Sequence, residues 1–525
     1  METNTKNQGI FKAATWIAVI ILFSKIIGFL RDVVVANYYG TSIVSDAYFY
    51  AYQIPALLIV ILGGVGGPFH SATVAIFSKL IPNYSSKPTH DVKKLFNTFE
   101  TVTFIIFAVL ALACFIFPDK IMSFVISSGS DELVQIASLH LKVMSPLVLF
   151  GAMMGIYYGI LVTYKHYLLP NISPTFVSIG IIATLLIFKN DTNGMHLALG
   201  TLIGGILQFI MQAPAVRKLG YGFTFTLSKL KDTNFKEIME LLLPAFLSST
   251  IGQFGLYIDM FFSSGLEEGA WTSLGYANRI FQFPTGLLLT AILVPLFPLF
   301  SKLVGEKKYE ETAEYFTKGV GSLFFISCYF VAVISIIRFD GIALALERGA
   351  FTHESTIQVA NILFVITFSL LPYVFRDSAT RLLYAFNDSK IPFITALLAI
   401  FLKIFFNSIL VKEYGIYGIS MSTVIITLIN AIILGSFIKT KMEYKFAPLF
   451  KELAKMITIG TITALSGYYF HQFISSFIDG NILYLAIRIT ITVIVVGVIY
   501  MLLSQLFRVQ YAGIAIEKIK GKFIK

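Results

Sequence analysis

Fourteen apolar stretches, each long enough to cross bilayer hydrocarbon and several longer than a straight span needs, decide what this chain can become. A helical span needs roughly 20 apolar residues. Inside hydrocarbon every backbone N–H and C=O must find its partner within the chain, so runs of this length must be α-helices. The stretches cover approximately 13–36, 47–79, 99–117, 133–164, 170–188, 195–216, 237–262, 272–302, 317–338, 356–386, 392–411, 415–438, 453–474 and 482–506. Only 13% of the 525 residues are charged and 56% are hydrophobic, which excludes a soluble domain of this size. The expected fold is an all-α polytopic membrane protein with about 14 transmembrane helices. Pro55, Pro146, Pro284, Pro295 and Pro372 fall inside the stretches and should kink or interrupt them.

The net charge of +11 invites a reading as a nucleic-acid binder, but its distribution says otherwise. Lysine and arginine crowd alternate loops. One set holds Lys79, Lys87, Lys93, Lys94, Lys165, Arg217, Lys218, Lys229, Lys231, Lys302, Lys307, Lys308, Lys439, Lys441, Lys445 and Lys451. The other holds Lys120, Lys189, Arg338, Arg348 and Lys412. Cytoplasmic loops carry the excess, so both termini are expected in the cytoplasm, in keeping with an even number of spans. The segment Tyr511–Lys525 alternates isoleucines with lysines and reads as a surface helix on anionic lipid. The first stretch is too long and too charged for a cleavable signal and reads as a retained helix. Cys114 and Cys328 make no disulfide framework, and the histidines show no metal-ligand spacing. No nucleotide-binding loop or nucleophile motif is present, so the chain reads as a transporter rather than an enzyme, with no cofactor.

An internal repeat organises the spans. Phe77-Ser78-Lys79-Leu80 recurs as Phe300-Ser301-Lys302-Leu303, 223 positions on. Upstream, Tyr50-Ala51 with Pro55 recurs as Tyr276-Ala277 with Pro284, and Tyr164 with Pro170 recurs as Tyr384 with Pro392. The expected organisation is a six-helix half over 1–220, a pseudo-symmetric six-helix half over 221–440, and two added helices with a basic tail over 441–525. Both halves begin on the same side, and the substrate path is expected at their interface.

Charges stand where such spans should have none. Lys25, Arg31 and Asp32 share the first stretch, and Lys142, Asp259, Arg279, Arg376, Asp377, Arg381 and Lys403 lie within or at the ends of others. Ionised groups at bilayer depth usually face a protein interior or an aqueous cavity. The basic ones outnumber the acidic, so the cavity should attract an anion.

The segment Ser24-Lys25-Ile26-Ile27-Gly28-Phe29-Leu30-Arg31-Asp32, followed by Tyr39-Gly40, Asp46-Ala47-Tyr48-Phe49 and Ile54-Pro55, resembles the opening signature of the MviN/MurJ family of lipid II flippases. Tyr276-Ala277-Asn278-Arg279 with Phe283-Pro284, Arg348-Gly349-Ala350-Phe351, and Tyr384 to Pro392 are similar to further family motifs, in family order. The resemblance implies a bacterial inner-membrane protein of cell-wall biosynthesis. It would flip the lipid-linked peptidoglycan precursor from the cytoplasmic to the outer leaflet by alternating access. Membrane lipid and cell-wall synthesis proteins are its expected partners. Lys25, Arg31 and Arg279 match basic positions of the family's central cavity, and Asp32 and Asp46 match acidic positions of its outer gate. After Pro55 many members carry a basic residue where this chain has Ile59 and Val60, and Arg376 is the expected substitute.

The chemistry agrees. A diphosphate needs several N–H donors that stay charged, and the arginine fork matches phosphate oxygens in pairs. Lys25, Arg31, Arg279 and Arg376 are therefore the expected ligands of a polyprenyl-linked diphosphate. The purely structural alternative is that Arg31–Asp32 and Arg376–Asp377 are internal pairs. Lys142 and Arg381, nearer span ends, are expected to snorkel. Asp46 reads as a gate residue or as a helix N-cap. Some family members resemble sodium binders in the seventh and eleventh helices; here Asp259, Lys403 and Asn407 are expected to form an ion site or an internal salt bridge. The glycines Gly151, Gly155 and Gly159, and Gly200 with Gly204, read as close helix packing. Gly63 to Gly67 have a second reading as a hinge. Membrane potential or a monovalent ion is the expected driving force, since charge in a cavity feels the transmembrane field. The rival readings are a flippase for another polyprenyl-diphosphate-linked glycan, such as an O-antigen or exopolysaccharide unit, and a small-molecule antiporter.

Overall fold

The computed structural model describes residues 2–58, 67–81, 87–188, 192–478 and 480–513. Ile59 and Val60, most of the glycine cluster before Pro68, Lys189, and the tail after Gly513 lie outside the described residues. All regular structure among the described residues is helical. Two compact units divide between Thr272 and Ser273.

The first unit comprises α1 (Glu2–Tyr39), α2 (Ile43–Leu58), α3 (Pro68–Leu80), α4 (His90–Ile116), α5 (Pro118–Val125), α6 (Asp131–Met144), α7 (Pro146–Thr163), α8 (Leu168–Ile172), α9 (Thr175–Ile187), α10 (Met195–Lys218) and α11 (Thr233–Ser263). It also holds the opening turn of α12 (Ala270–Leu288). The second unit continues along α12 through the π-helical turn Leu289–Leu293 into α13 (Val294–Gly305). It then runs through α14 (Tyr309–Leu346), α15 (His353–Thr367), α16 (Leu370–Ala385), α17 (Lys390–Tyr414), α18 (Ile416–Met442), α19 (Ala447–Ser475) and α20 (Ile482–Leu506).

All fourteen expected spans fall on these helices. Among the described residues nine helices are individually long and apolar enough to cross a membrane, and α15 with α16 makes a tenth as a pair bent by 46°. The other four spans fall on α1, on α2 with α3, on α12 with α13, and on α19. The prolines explain the breaks. Pro146 and Pro295 sit in the first turn of α7 and α13, where a missing N–H costs nothing, and Pro372 sits in the first turn of α16. Pro284 lies inside α12, five residues before the π-turn. Polar side chains start other helices. Thr89 accepts from the Val92 N–H, Ser130 from Leu133, Asp232 from Asn234, Thr352 from Ser355 and Asn481 from Leu483. Only Gly415, at φ +56°, separates α17 from α18, a conformation that suits glycine.

Within the first unit α9 packs along α10, α2 on α6, and α7 between α3 and α4. Packing in lipid depends on close van der Waals contact rather than on expulsion of water, so small residues mark the closest approaches. A Cβ at Gly204 would stand 2.5 Å from Val177 Cα and 2.6 Å from the Phe176 carbonyl, and one at Gly159 would strike the side chain of Thr73. Aromatic rings fill the rest: Phe96 lies 4.8 Å from Tyr221, and Phe69 stacks on Phe99 at 5.6 Å. The helix α11 packs on α3, α4 and α5, so the seventh span lies with this unit. The division expected after residue 220 follows sequence repetition, whereas this one follows packing. The two differ by the segment from Tyr221 to Thr272.

Within the second unit α17 packs on α18, α16 on α18, and α14 against α15, α16, α19 and α20. The two added helices therefore rest on α14. Val333 and Ile336 of α14 meet Val496 of α20 in a small buried core. Phe316, Phe375, Tyr444 and Phe446 form a second, aromatic cluster.

Candidate functional site

In the first unit α1 carries Lys25 on an exposed stretch of helix. Among the described residues its ammonium has no ion pair within 4.0 Å and no hydrogen bond. Arg31 is paired: Nε and Nη2 both donate to Asp32 Oδ1, at 3.0 and 2.8 Å. A single oxygen takes both bonds, so half of the guanidinium fork is engaged. Nη1 makes no hydrogen bond among the described residues and keeps its donors for another acceptor. Asp32 is buried at 7% exposure.

Asp46 stands in the first turn of α2, yet the α2 terminus is closed by Ser42 and Ser45, which exchange backbone–side-chain bonds. The Asp46 carboxylate reaches across to the Gly269–Thr272 turn instead. It accepts from the Gly269 N–H at 2.7 Å, the Thr272 N–H at 2.8 Å and the Thr272 hydroxyl at 2.7 Å. An acid at a helix N-terminus meets unsatisfied N–H groups and the positive end of the dipole. Tyr50, one turn on along α2, bonds Ser263 Oγ at 2.7 Å and stacks on Trp271 at 5.3 Å. Asp259 lies on α11 near these partners in sequence.

In the second unit Arg279 projects from α12 with its guanidinium 5.7 Å from the Tyr276 ring centre. Tyr276 is itself buried against Phe351, the phenylalanine of the Arg348-Gly349-Ala350-Phe351 motif. On α16 the expected Arg376–Asp377 pair is not formed. Asp377 accepts from Arg381 Nε at 3.2 Å, one helical turn on. Arg376 lies over the Tyr373 ring, its guanidinium 4.6 Å from the ring centre, and among the described residues that guanidinium has neither ion pair nor hydrogen bond. Its five N–H donors stand half-buried and uncommitted, on a helix long enough to cross the membrane with α15. Arg381 is held by its carboxylate rather than snorkelling, whereas Lys142 is exposed with its ammonium 5.1 Å from the Phe115 ring.

Lys403 and Asn407 face α18 from α17. Lys403 Nζ donates to Thr423 Oγ1 at 2.6 Å, and Ser422 Oγ donates to Asn407 Oδ1 at 2.5 Å. Both are buried, so this part of the expected ion-site group is a polar seam between neighbouring helices.

Sequence reasoning passes over two clusters, one partly and one fully buried. Asp340 of α14 accepts from Arg488 Nε of α20 at 2.5 Å and lies 3.1 Å from His471 Nε2 of α19, whose Nδ1 bonds Thr492. These bonds tie both added helices to α14. Arg488, charged and near the start of an apolar stretch, was the signal. In the first unit, Glu100 of α4 is fully buried and accepts from the Tyr157 hydroxyl at 2.6 Å. It stands at the edge of the third stretch, where a charge attracts little notice. Among the described residues no three His, Cys, Asp or Glu side chains gather to hold a metal.

Chemically, each unit offers a cation uncommitted among the described residues, Lys25 on α1 in the first and Arg376 on α16 in the second, each suited to an anionic oxygen. A model of the family described as lipid II flippase MurJ matches residues 35–490. A probable lipid II flippase MurJ of Synechocystis is 29% identical over 478 residues, covering 86% of each chain. The lipid II flippase MurJ of Burkholderia cenocepacia is 24% identical, covering 84% of this chain and 86% of its own. Among solved structures, a lipid II flippase MurJ in an inward closed conformation superposes with TM-score 0.76 at 24% identity, over 94% of this chain and 98% of its own. An inward-facing multidrug transporter of the MATE family gives TM-score 0.62 at 14% identity, over 83% of this chain and 99% of its own.

Proposed function

The chain belongs to the lipid II flippase MurJ family, whose model matches residues 35–490, and from that premise we propose that it carries lipid II to the outer leaflet by alternating access. It is a multi-pass membrane transporter and not an enzyme. The family match over most of the chain is the observation that carries this reading. The rival lipid-linked glycans and small-molecule substrates are not favoured, because the curated relatives are named for lipid II.

The diphosphate is bound by Lys25, Arg31, Arg279 and Arg376. Support comes from the absence, among the described residues, of a counter-ion at Lys25 and Arg376 and from the half-engaged fork of Arg31. A half-buried guanidinium is expensive to hold without an acceptor, and a phosphate oxygen supplies one. Asp32 and Asp46 act at the gate. Asp259, with Lys403 and Asn407, remains the candidate ion site or internal pair. Membrane potential or a monovalent ion drives the cycle. Alternating lysine-rich loops support a topology with both termini in the cytoplasm.

The test uses purified protein in liposomes with a fluorescent lipid II analogue and an impermeant quencher. Protein-dependent movement of the fluorophore between leaflets is expected, and an unchanged inner pool would overturn the reading. Depletion in cells should accumulate lipid II; accumulation of a different lipid-linked glycan would reassign the substrate.

A further inference from the structure

Glu100 is the deepest carboxylate of the first unit, at 0% exposure, eleven residues into α4. Its Oε1 accepts the Tyr157 hydroxyl at 2.6 Å. Its Oε2 is buried and has no hydrogen-bond partner among the described residues. One turn back on the same helix face, Asn97 Oδ1 is likewise buried and unpartnered. The surroundings are aromatic. Phe96 stacks on the Tyr157 ring at 6.4 Å, and Phe209 stacks on the same ring at 5.4 Å. Among the described residues no cation lies within ion-pair distance of Glu100. The groups in electrostatic range are Tyr157 from α7 and Arg217 from α10, and Arg217 is exposed and forms no ion pair with it. The helices α5, α6 and α11 also pack on α4, α3 meets it through the Phe69–Phe99 and Phe77–Phe96 ring pairs, and among the described residues none of the four brings a further charged group into that range.

A carboxylate in such a place lacks what would balance it. Burying an unpaired charge is far costlier than burying a neutral group. A small metal ion would need several oxygen ligands, and among the described residues no cluster of acidic and histidine side chains supplies them. A proton needs one oxygen, and Oε2 is open.

We propose that Glu100 is a proton-binding site, formed by Oε2 and steadied by the Tyr157 hydroxyl on Oε1, and that proton uptake and release there accompany translocation. The second half of that statement rests on the flippase reading; the first does not. On loading, a proton from water forms an O–H bond at Oε2, and the carboxylate becomes a neutral acid. Oε2 thereby turns from an acceptor into a donor, the complement of an acceptor such as Asn97 Oδ1. On unloading, the same bond breaks and the proton returns to water, leaving the carboxylate. No electron changes hands.

The site is tested first without transport. Infrared difference spectra of the full chain in lipid bilayers, recorded across a pH titration, should show the carbonyl stretch of a protonated carboxylic acid. That band should vanish in Glu100→Gln, which keeps the shape and an acceptor for Tyr157. In Tyr157→Phe the band should persist but shift, since one hydrogen bond to the acid is lost. An identical band in wild type and Glu100→Gln overturns the site. Coupling is tested in liposomes. Wild-type translocation should change with pH, and Glu100→Gln should lose that response at least tenfold while remaining monodisperse. A Glu100→Gln profile that follows wild type overturns the coupling. If wild type moves no lipid II analogue, the flippase reading falls, and the infrared result still decides the proton site.

Discussion

Arg376 and Arg381 both stand on α16 but differ in what balances them. Arg381 has taken the carboxylate of Asp377, and Arg376 has only the Tyr373 ring. The difference predicts their sensitivity. Arg376→Ala and Lys25→Ala should lower transport roughly tenfold to a hundredfold, the loss of a charge-assisted contact worth about 1.5–3 kcal/mol. Arg381→Ala should act mainly on stability. Complementation of a depleted strain, with protein level read in parallel, checks both. Arg376→Lys should restore only part, because a point charge replaces a fork. Asp46 belongs at this scale too. Asp46→Ala strands three donors at the Gly269–Thr272 turn, at about 1–3 kcal/mol for each one buried without a partner. A lower melting temperature of the solubilised protein is the expected readout. The charges of the site were legible because ionised residues inside apolar runs stand out. Their partners were not. Asp46 finds its donors more than two hundred residues away, Asp377 chose the arginine one turn on over the adjacent one, and Glu100 was hidden by its place at the edge of a run.

Among the elements, α9 and α10 show how much of the packing follows from composition. Gly200 and Gly204 read as a close-packing pair, and in the structure their faces meet α9 backbone to backbone. Gly204→Val should therefore wedge the two helices apart, at about 1–3 kcal/mol, visible as lower folded yield and melting temperature. Gly222→Ala, with open space around it, should be silent. The proline breaks were legible for the same local reason, since a residue without an N–H must start a helix or interrupt one. The bond from Lys441 at the end of α18 to Asp388 in the turn before α17 was not, because it joins residues far apart in the sequence. That ion pair, 2.8 Å long, holds the Asp388 carboxyl below the usual carboxylate range, chiefly through the lysine hydrogen bond. A depressed folded-state pKa stabilises fully above the unfolded value of about 4 and is lost as pH falls through the folded value. Acid should loosen this turn in wild type, and Lys441→Met should remove that part of the pH dependence of the melting temperature.

At the scale of the whole molecule, the sequence repeat and the packing units need not coincide. Repetition reflects how helices are ordered along the chain, whereas the boundary at Thr272 reflects which helices touch. The count of spans was legible because hydrocarbon sets one length, and the topology should follow from the lysines. Single cysteines placed at Lys307 and Lys451 should react with an impermeant thiol reagent only after the membrane is opened, and one at Lys412 should react in intact cells. Reaction of all three alike would reject that orientation. One joint has a consequence at this scale as well. A single planar carboxylate at Asp46 receives three donors from the Gly269–Thr272 turn. Sliding cannot relax them one by one, since any shift that lengthens one bond misaligns the others. The contact thus behaves as a latch, shut or sprung, with no stable position half-way.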